Sequence, residues 1–180
     1  MVSPTSCLSI LVIPLLVTSL FYQVSNAVND TYLDSICHKS TDYELCSSTF
    51  AADNRTSTAD LDGLLLICIS SNMNLLETTI VNRIPPILEI LEYLVDKQRL
   101  QHCQSDFIYA LGKLSGAYLA SASKNYEEGT KLSMDAAFKN AECINEYNMT
   151  DFPSPIEDVP NKVGRLIFLS FVIVDEIKKY

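Results

Sequence analysis

Four cysteines constrain this chain more than any other feature: Cys37, Cys46, Cys103 and Cys143. They form one closely spaced pair and one widely spaced pair behind an apolar N-terminal segment, which is typical of disulfides in a secreted protein. Four cysteines allow three pairings, and the simplest joins sequence neighbours, Cys37 with Cys46 and Cys103 with Cys143. In the chain-entropy model, the short loop would contribute about 2.5–3 kcal/mol and the long loop about 4 kcal/mol to stability.

The first 27 residues predict a signal peptide. They carry no charged residue, and residues 8–21 are mostly Leu, Ile, Val and Phe. Ser25-Asn26-Ala27 places small residues at a peptidase site, so the mature chain is expected to begin at Val28. A membrane anchor, the alternative, needs about 20 apolar residues, and Pro14 with several polar residues interrupts this segment. The protein is therefore expected to be secreted, with no membrane association in its mature form.

One cysteine remains unpaired after Cys7 leaves with the leader. Cys68 is the candidate, because it lies in the apolar run 64–69, where a thiol behaves as a small buried hydrophobe. The alternative is a reactive thiol or an intermolecular disulfide.

Three sequons, beginning at Asn29, Asn54 and Asn148, predict N-glycosylation and exposure of those segments. The chain has 22 acidic and 13 basic residues, a net charge of −9, and all of these charges follow the leader. An acidic balance argues against nucleic acid, anionic membranes and polyanions such as pectin as partners, and favours a cationic protein surface.

Apolar residues recur at helical spacing and strict alternation is rare, which predicts an all-α fold: an up-and-down four-helix bundle at 57–180 behind a disulfide-clamped helical hairpin at 28–56. The hairpin helices are predicted at 30–40 and from residue 42, with a capping box at Thr41-Asp42-Tyr43-Glu44. Ser57 is expected to cap the first bundle helix and Pro85-Pro86 to end it. A short segment at 87–95 and helices at 98–121, 126–145 and 161–179 complete the prediction.

The sequence predicts no catalytic residue, metal site or cofactor. His38 and His102 each adjoin a cysteine expected to be oxidised, and a disulfide sulfur is neither a metal ligand nor a nucleophile. The common metalloprotease, hydrolase, phosphate-loop and dinucleotide motifs do not occur. Tyr109 and Tyr118 are expected to pack against other helices.

Several short motifs resemble the plant invertase and pectin methylesterase inhibitor family over essentially the whole mature chain, with the cysteine spacing in register. These are Leu33-x-x-Ile36-Cys37 with Tyr43 and Cys46, Cys103 with Phe107, Ala110 and Leu114, and Tyr126 with residues 132–137 and Glu142-Cys143. Residues 42–46 and 58–64 are most similar to the pollen-type invertase inhibitors of that family.

The resemblance implies a four-helix bundle, an N-terminal hairpin and the nearest-neighbour disulfides. It also implies reversible inhibition of a secreted plant invertase or pectin methylesterase in the cell wall or the vacuole, without enzymatic activity of its own. The alternative is a non-inhibitory extracellular module for recognition or for carrying a ligand.

Invertase inhibitors of this family insert a Pro-Lys-Phe tripeptide from the start of the third bundle helix, and this chain has Tyr126-Glu127-Glu128 there. An invertase pocket is itself acidic, so the two glutamates should disfavour insertion. The candidate target contacts at this turn are Tyr126, Glu127, Glu128 and Lys131. An ordinary capped, solvated helix start is the alternative interpretation of these four residues.

Overall fold

The computed structural model describes residues 27–148 and 152–180, so the predicted signal peptide lies outside the described residues except for Ala27. The described part is helical and contains no strand, which confirms the all-α prediction. Its helices are α1 (Asp30–Lys39), α2 (Tyr43–Ala51), α3 (Leu61–Ile90), α4 (Leu94–Ala122), α5 (Tyr126–Asn148) and α6 (Asp158–Ile177). A 3₁₀ turn, Asn54–Thr58, precedes α3.

Helices α1 and α2 form a hairpin that is closed by a disulfide between Cys37 and Cys46. The side-chain oxygen of Asn29 caps α1 by accepting a hydrogen bond from the amide of Tyr32 at 2.8 Å. The predicted capping box at Thr41 is wrong, because Asp42 is the N-cap of α2 and accepts from the amide of Leu45. A carboxylate one residue further along serves the helix N-terminus better than a hydroxyl, since it adds a charge that complements the helix dipole.

The start of α3 also differs from the prediction. Ser57 lies inside the 3₁₀ turn, and Asp60 caps α3 instead by accepting from the amide of Gly63 at 2.8 Å. A Cβ atom at Gly63 would lie 2.9 Å from the Cβ of Ala59, so a glycine is required where the incoming chain crosses the first turn of the helix.

Pro85 and Pro86 do not end α3, contrary to the prediction. A π-helical turn, Thr79–Arg83, precedes them, and the helix continues through Ile84–Ile90. In this turn the amide of Ile84 donates to the carbonyl of Thr79. A widened turn relieves the clash that a proline ring makes with the carbonyl four residues earlier, so the chain stays helical. Of the helices in the described residues, α3 is long and apolar enough to cross a membrane by length and composition, but it packs against α4 and α6 in the core of the bundle.

The bundle consists of α3, α4, α5 and α6, and sequential helices run antiparallel through short connections. Helix α4 packs along α5, to which a disulfide between Cys103 and Cys143 joins it, and α6 packs between α5 and α3. The largest buried side chains between the four helices are Leu64, Leu65, Ile67, Leu76, Ile84, Leu100, Phe107, Leu114 and Leu169. These apolar side chains form the core between the helices.

Helix α6 begins at Asp158, three residues before its predicted start, with Pro160 in its first turn. A proline is tolerated there because the amides of the first turn have no partner within the helix. Two buried asparagines hold this end of α6. The side-chain amide of Asn72 on α3 donates to the carbonyl of Val163 at 3.2 Å, and that of Asn140 on α5 donates to the carbonyl of Pro160 at 2.8 Å.

A buried glutamate attaches the hairpin to the bundle. Glu176 on α6 is only 4% exposed, yet its carboxylate accepts from Lys179 at 2.6 Å, from Tyr32 at 2.9 Å and from Lys39 at 3.0 Å. The hydrogen bond from Lys179, with those from Lys39 and Tyr32, lowers the pKa of Glu176 to about 2 although burial opposes ionisation. A second ion pair, between Asp42 and Arg165, fixes α2 to the same helix. The domain division predicted between residues 56 and 57 remains a prediction.

Candidate functional site

The turn between α4 and α5 carries the four predicted target contacts. Lys124 adopts a left-handed conformation, φ 62°, and Asn125 accepts from the amide of Glu128 at the start of α5. Gly129 is buried, and a Cβ atom there would lie 2.6 Å from the hydroxyl oxygen of Ser121, so the two helices approach closely. The turn is therefore a tight, ordered connection.

Tyr126 points inward from this turn. Its hydroxyl donates to the carboxylate of Asp62 on α3 at 2.6 Å, and the ammonium of Lys124 lies 3.0 Å from the other oxygen of the same carboxylate. Burial, with a further contribution from the hydrogen bond to Asp62, raises the pKa of Tyr126 to about 12. Tyr126 thus joins the turn to the N-terminal end of α3 and does not project into solvent.

The other three predicted contacts lie on the outside of α5. Glu127 is exposed, and Glu128 lies 3.9 Å from Lys131 across one helical turn, in a weak and solvent-exposed ion pair. The structure therefore separates the four residues: Tyr126 contacts α3, while Glu127, Glu128 and Lys131 face solvent.

Positions of α4 and α5 that point away from the core also carry apolar side chains, which the sequence analysis did not identify. Four of them have high exposed fractions, and we name them together the α4–α5 face: Ile108 at 56%, Tyr109 at 46%, Met134 at 51% and Phe138 at 68%. Tyr109 lies at the surface of the bundle, where its ring contacts Lys139 of α5. Exposed apolar side chains that gather in one patch are typical of a surface that binds a partner.

Charged side chains hold the tyrosine of the α4–α5 face in position. The ammonium groups of Lys113 and Lys139 lie 5.3 Å and 5.6 Å from the centre of the Tyr109 ring, within the range of cation–π attraction. Lys113 is paired with Asp135 at 3.0 Å, and this hydrogen bond raises the pKa of Lys113. Lys139 lies 3.6 Å from Asp106 and also contacts Glu142. Two cations therefore flank the exposed Tyr109 ring.

A sequence signal for this face exists. The inward stripe of α4 accounts for Cys103, Phe107, Ala110 and Leu114, all of which are buried, whereas Ile108 lies off that stripe. Met134 and Phe138 are spaced one turn apart on α5, away from its buried positions. Apolar residues that lie outside the core stripe of each helix could therefore have predicted an exposed apolar surface.

In the described residues, no group of three or more His, Cys, Asp or Glu side chains is arranged as a metal site. Cys68 is buried in α3, where its thiol donates to the carbonyl of Leu166 at 3.2 Å. Burial raises the pKa of Cys68 to about 12, which suppresses formation of the reactive thiolate. The three asparagines of the predicted sequons are exposed.

Comparison with solved structures decides the fold. A mutant form of a pectin methylesterase inhibitor from Arabidopsis matches 79% of this chain and 95% of its own chain, with a TM-score of 0.68 and 17% sequence identity. The chain has the fold of pectin methylesterase inhibitors. A second such inhibitor, from Arabidopsis thaliana, matches 82% of this chain and 97% of its own, with a TM-score of 0.61 and 15% identity.

No family model matches the sequence, and no curated protein matches it significantly. At 15–17% identity the structural match establishes the fold and leaves the target open. The similarity to pollen-type invertase inhibitors remains a prediction from the sequence motifs.

Proposed function

We propose that this protein is a secreted, reversible inhibitor of a plant pectin methylesterase that binds the enzyme through the α4–α5 face. The observation that carries the proposal is the exposed apolar surface of Ile108, Tyr109, Met134 and Phe138 on a fold shared with solved pectin methylesterase inhibitors. The inhibitor acts by occupying the enzyme and performs no chemistry itself.

The composition of the α4–α5 face suits a protein interface. Binding energy at interfaces concentrates in central aromatic side chains within a polar rim. Phe138 and Tyr109 provide the aromatic centre here, and the ion pairs of Lys113 and Lys139 provide the rim. Both helices belong to a rigid bundle joined by a disulfide, so little conformational entropy is lost on binding.

The geometry of the α4–α5 turn favours a pectin methylesterase over an invertase as the target. The aromatic side chain at that turn, Tyr126, is bound to Asp62 and is not available to enter a sugar pocket. Glu127 remains exposed and would meet the acidic groups of an invertase pocket with like charge. An enzyme groove that accepts anionic pectin is, in contrast, compatible with a protein of net charge −9.

Activity assays test the proposal directly. The oxidised mature protein is titrated against one plant pectin methylesterase and one plant cell-wall invertase, and the activity of each enzyme is followed. We expect loss of pectin methylesterase activity only. Inhibition of invertase alone would replace the proposed target, and inhibition of neither enzyme would favour a recognition or carrier module.

A pair of matched variants tests the surface. Phe138→Asp places a charge in the centre of the α4–α5 face and should weaken inhibition by about 30-fold or more, as expected for a central aromatic contact. Phe168→Asp changes an exposed phenylalanine on α6 and should leave inhibition unchanged. Circular dichroism and thermal unfolding establish that both variants fold. Equal inhibition by the two variants would show that the enzyme binds elsewhere.

A further inference from the structure

A cleft in the hairpin has no role in the proposed inhibition. It lies between α1, α2 and the 3₁₀ turn Asn54–Thr58, and its volume is about 480 Å³. Its apolar wall is formed by Leu33, Tyr43, Phe50 and Ala51. The hairpin packs on α3 and α6, so the cleft is separate from the α4–α5 face.

Hydrogen-bond acceptors lie beside these apolar residues, on the same helix as Leu33. Asp30 and Asp34 are one turn apart on α1 and face the cleft together. Asp34 accepts from the hydroxyl of Tyr43 at 2.7 Å, which fixes the tyrosine ring against the cleft. An ionised carboxylate offers about four acceptor positions, so both aspartates retain capacity for further hydroxyl donors.

A cleft with apolar surface and carboxylate acceptors side by side matches the chemistry of a pyranose ring, which has hydroxyl donors at its edge and an apolar C–H face. The acetamido methyl of N-acetylglucosamine adds a further apolar group. Such a sugar can be supplied from within the molecule, because Asn54, the acceptor of the second predicted sequon, itself lines the cleft.

We propose that Asn54 carries an N-linked glycan whose first N-acetylglucosamine is seated in this cleft, against Tyr43 and Leu33 and within hydrogen-bond reach of Asp30 and Asp34. The modification joins the side-chain nitrogen of Asn54 to C1 of the sugar. The lipid diphosphate of the glycan donor is the leaving group, and one amide proton of Asn54 is released. The proposal is independent of the inhibitory function and requires only that the chain enters the secretory pathway.

The local structure leaves Asn54 available for this role. The 3₁₀ turn is capped by Asp53, whose carboxylate accepts from the amide of Arg55 at 2.9 Å, so the side chain of Asn54 is not needed as a cap. The sequon hydroxyl of Thr56 donates to the carbonyl of Phe50 at 2.7 Å in the folded protein. Glycan transfer therefore precedes folding, and the hairpin then closes around the attached sugar.

The other two sequon asparagines serve as matched references because their side chains make contacts at helix ends. Asn29 caps α1, and Asn148 donates to Asn145 at 3.0 Å at the end of α5. A glycan at Asn148 has no place in the hairpin cleft, so Asn148→Gln is the control for Asn54→Gln.

The experiment uses the secreted protein, trimmed with an endoglycosidase that leaves one N-acetylglucosamine on each occupied asparagine. Mass spectrometry gives the occupancy of Asn54. We expect nuclear Overhauser contacts between the acetyl methyl on Asn54 and the ring of Tyr43. We also expect Asn54→Gln to lower the Tm by about 2–4 °C, and Asn148→Gln to leave it unchanged.

A double-mutant cycle distinguishes a contact with the sugar from a purely structural role of Asp30, because only a contact with the sugar makes the Tm change of Asp30→Ala depend on the glycan. Asp30→Ala should lower the Tm more in the glycosylated protein than in the Asn54→Gln background, because the sugar loses an acceptor only in the former. An unoccupied Asn54, an acetyl methyl without contacts to the cleft, or equal effects of Asp30→Ala in both backgrounds would each overturn the proposal.

Discussion

The side-chain amide of Gln104 on α4 donates a hydrogen bond to the main-chain carbonyl of Ile80 on α3, at 3.4 Å. This carbonyl lies in the π-helical turn, where the residue five positions later would normally donate to it. That residue is Pro85, which has no amide hydrogen. Gln104 therefore replaces the donor that the proline removes, and α4 supplies it from outside the helix.

We predict that Gln104→Leu lowers the free energy of unfolding by about 1 kcal/mol, because it leaves the carbonyl of Ile80 without this donor. Urea unfolding measures the change, with Gln101→Leu at an exposed position of the same helix as the control. In a Pro85→Ala background a new amide can bind the carbonyl, so Gln104→Leu should cost less there. The same cost in both backgrounds would contradict this account of the turn.

The carboxylate of Glu176 predicts a dependence of stability on acid pH. Its pKa is lowered from 4.5 to about 2 in the folded protein, so its stabilising effect is complete above about pH 5 and is lost as the pH falls from 4.5 towards 2. Glu176→Gln should cost about 2 kcal/mol at pH 7, as expected for buried hydrogen bonds to a charged group. The cost should shrink by pH 3.

Urea unfolding at pH 7, 5 and 3 measures this effect, and Asp175→Asn, at an exposed neighbouring position, is the control. A cost of Glu176→Gln that is the same at all three pH values would show that packing, rather than the ionised carboxylate, holds the hairpin on α6.

Removing the hydrogen bond between Tyr126 and Asp62 distinguishes a structural role of Tyr126 from a role as a target contact. Tyr126→Phe should lower stability by about 1 kcal/mol at neutral pH and leave inhibition of the enzyme unchanged. Because the pKa of Tyr126 is raised to about 12, its contribution should persist up to about pH 10 and disappear as the pH rises towards 12.

Thermal unfolding measures the stability of Tyr126→Phe beside Tyr93→Phe, which changes an exposed tyrosine. Weaker inhibition by the well-folded Tyr126→Phe variant would support Tyr126 as a target contact, as the sequence predicted, and would count against its purely structural role.

The buried thiol of Cys68 should resist alkylation in the folded protein. With a pKa near 12, its thiolate at pH 8 is on the order of a thousandfold less abundant than that of an ordinary cysteine. Mass spectrometry after iodoacetamide treatment should show no adduct on the native protein and one adduct in guanidinium chloride. Ser123→Cys provides an exposed thiol as the positive control. An adduct on the native protein would support the alternative of a reactive cysteine. A dimer that is converted to monomer by a reductant would support an intermolecular disulfide.

The helical class and the order of the helices follow from the apolar periodicity, because a buried stripe such as Phe107, Ala110 and Leu114 repeats only at helical spacing. The helix ends were harder to predict. Thr41 and Ser57 are residue types that often cap helices, but the N-caps are Asp42, which directly follows Thr41, and Asp60, three residues after Ser57. The choice depends on where the preceding chain crosses the helix, which a single sequence does not reveal.

The proline pair at Pro85 failed as a stop signal for a related reason. Local rules assume that a proline leaves its partner carbonyl unsatisfied, whereas here a residue of another helix satisfies it. The α4–α5 face was not predicted because the exposure of a side chain depends on which other helices pack over it. Tyr109 is a residue type that is often buried, but here its ring lies at the surface.

Asn72 and Asn140 bind main-chain carbonyls of α6 and none of its side chains. These two hydrogen bonds therefore do not depend on the side chains of Pro160 and Val163, as long as the backbone stays helical. A substitution at position 163 that fits the available space would therefore leave the hydrogen bond from Asn72 in place, and the axial position of the start of α6 with it.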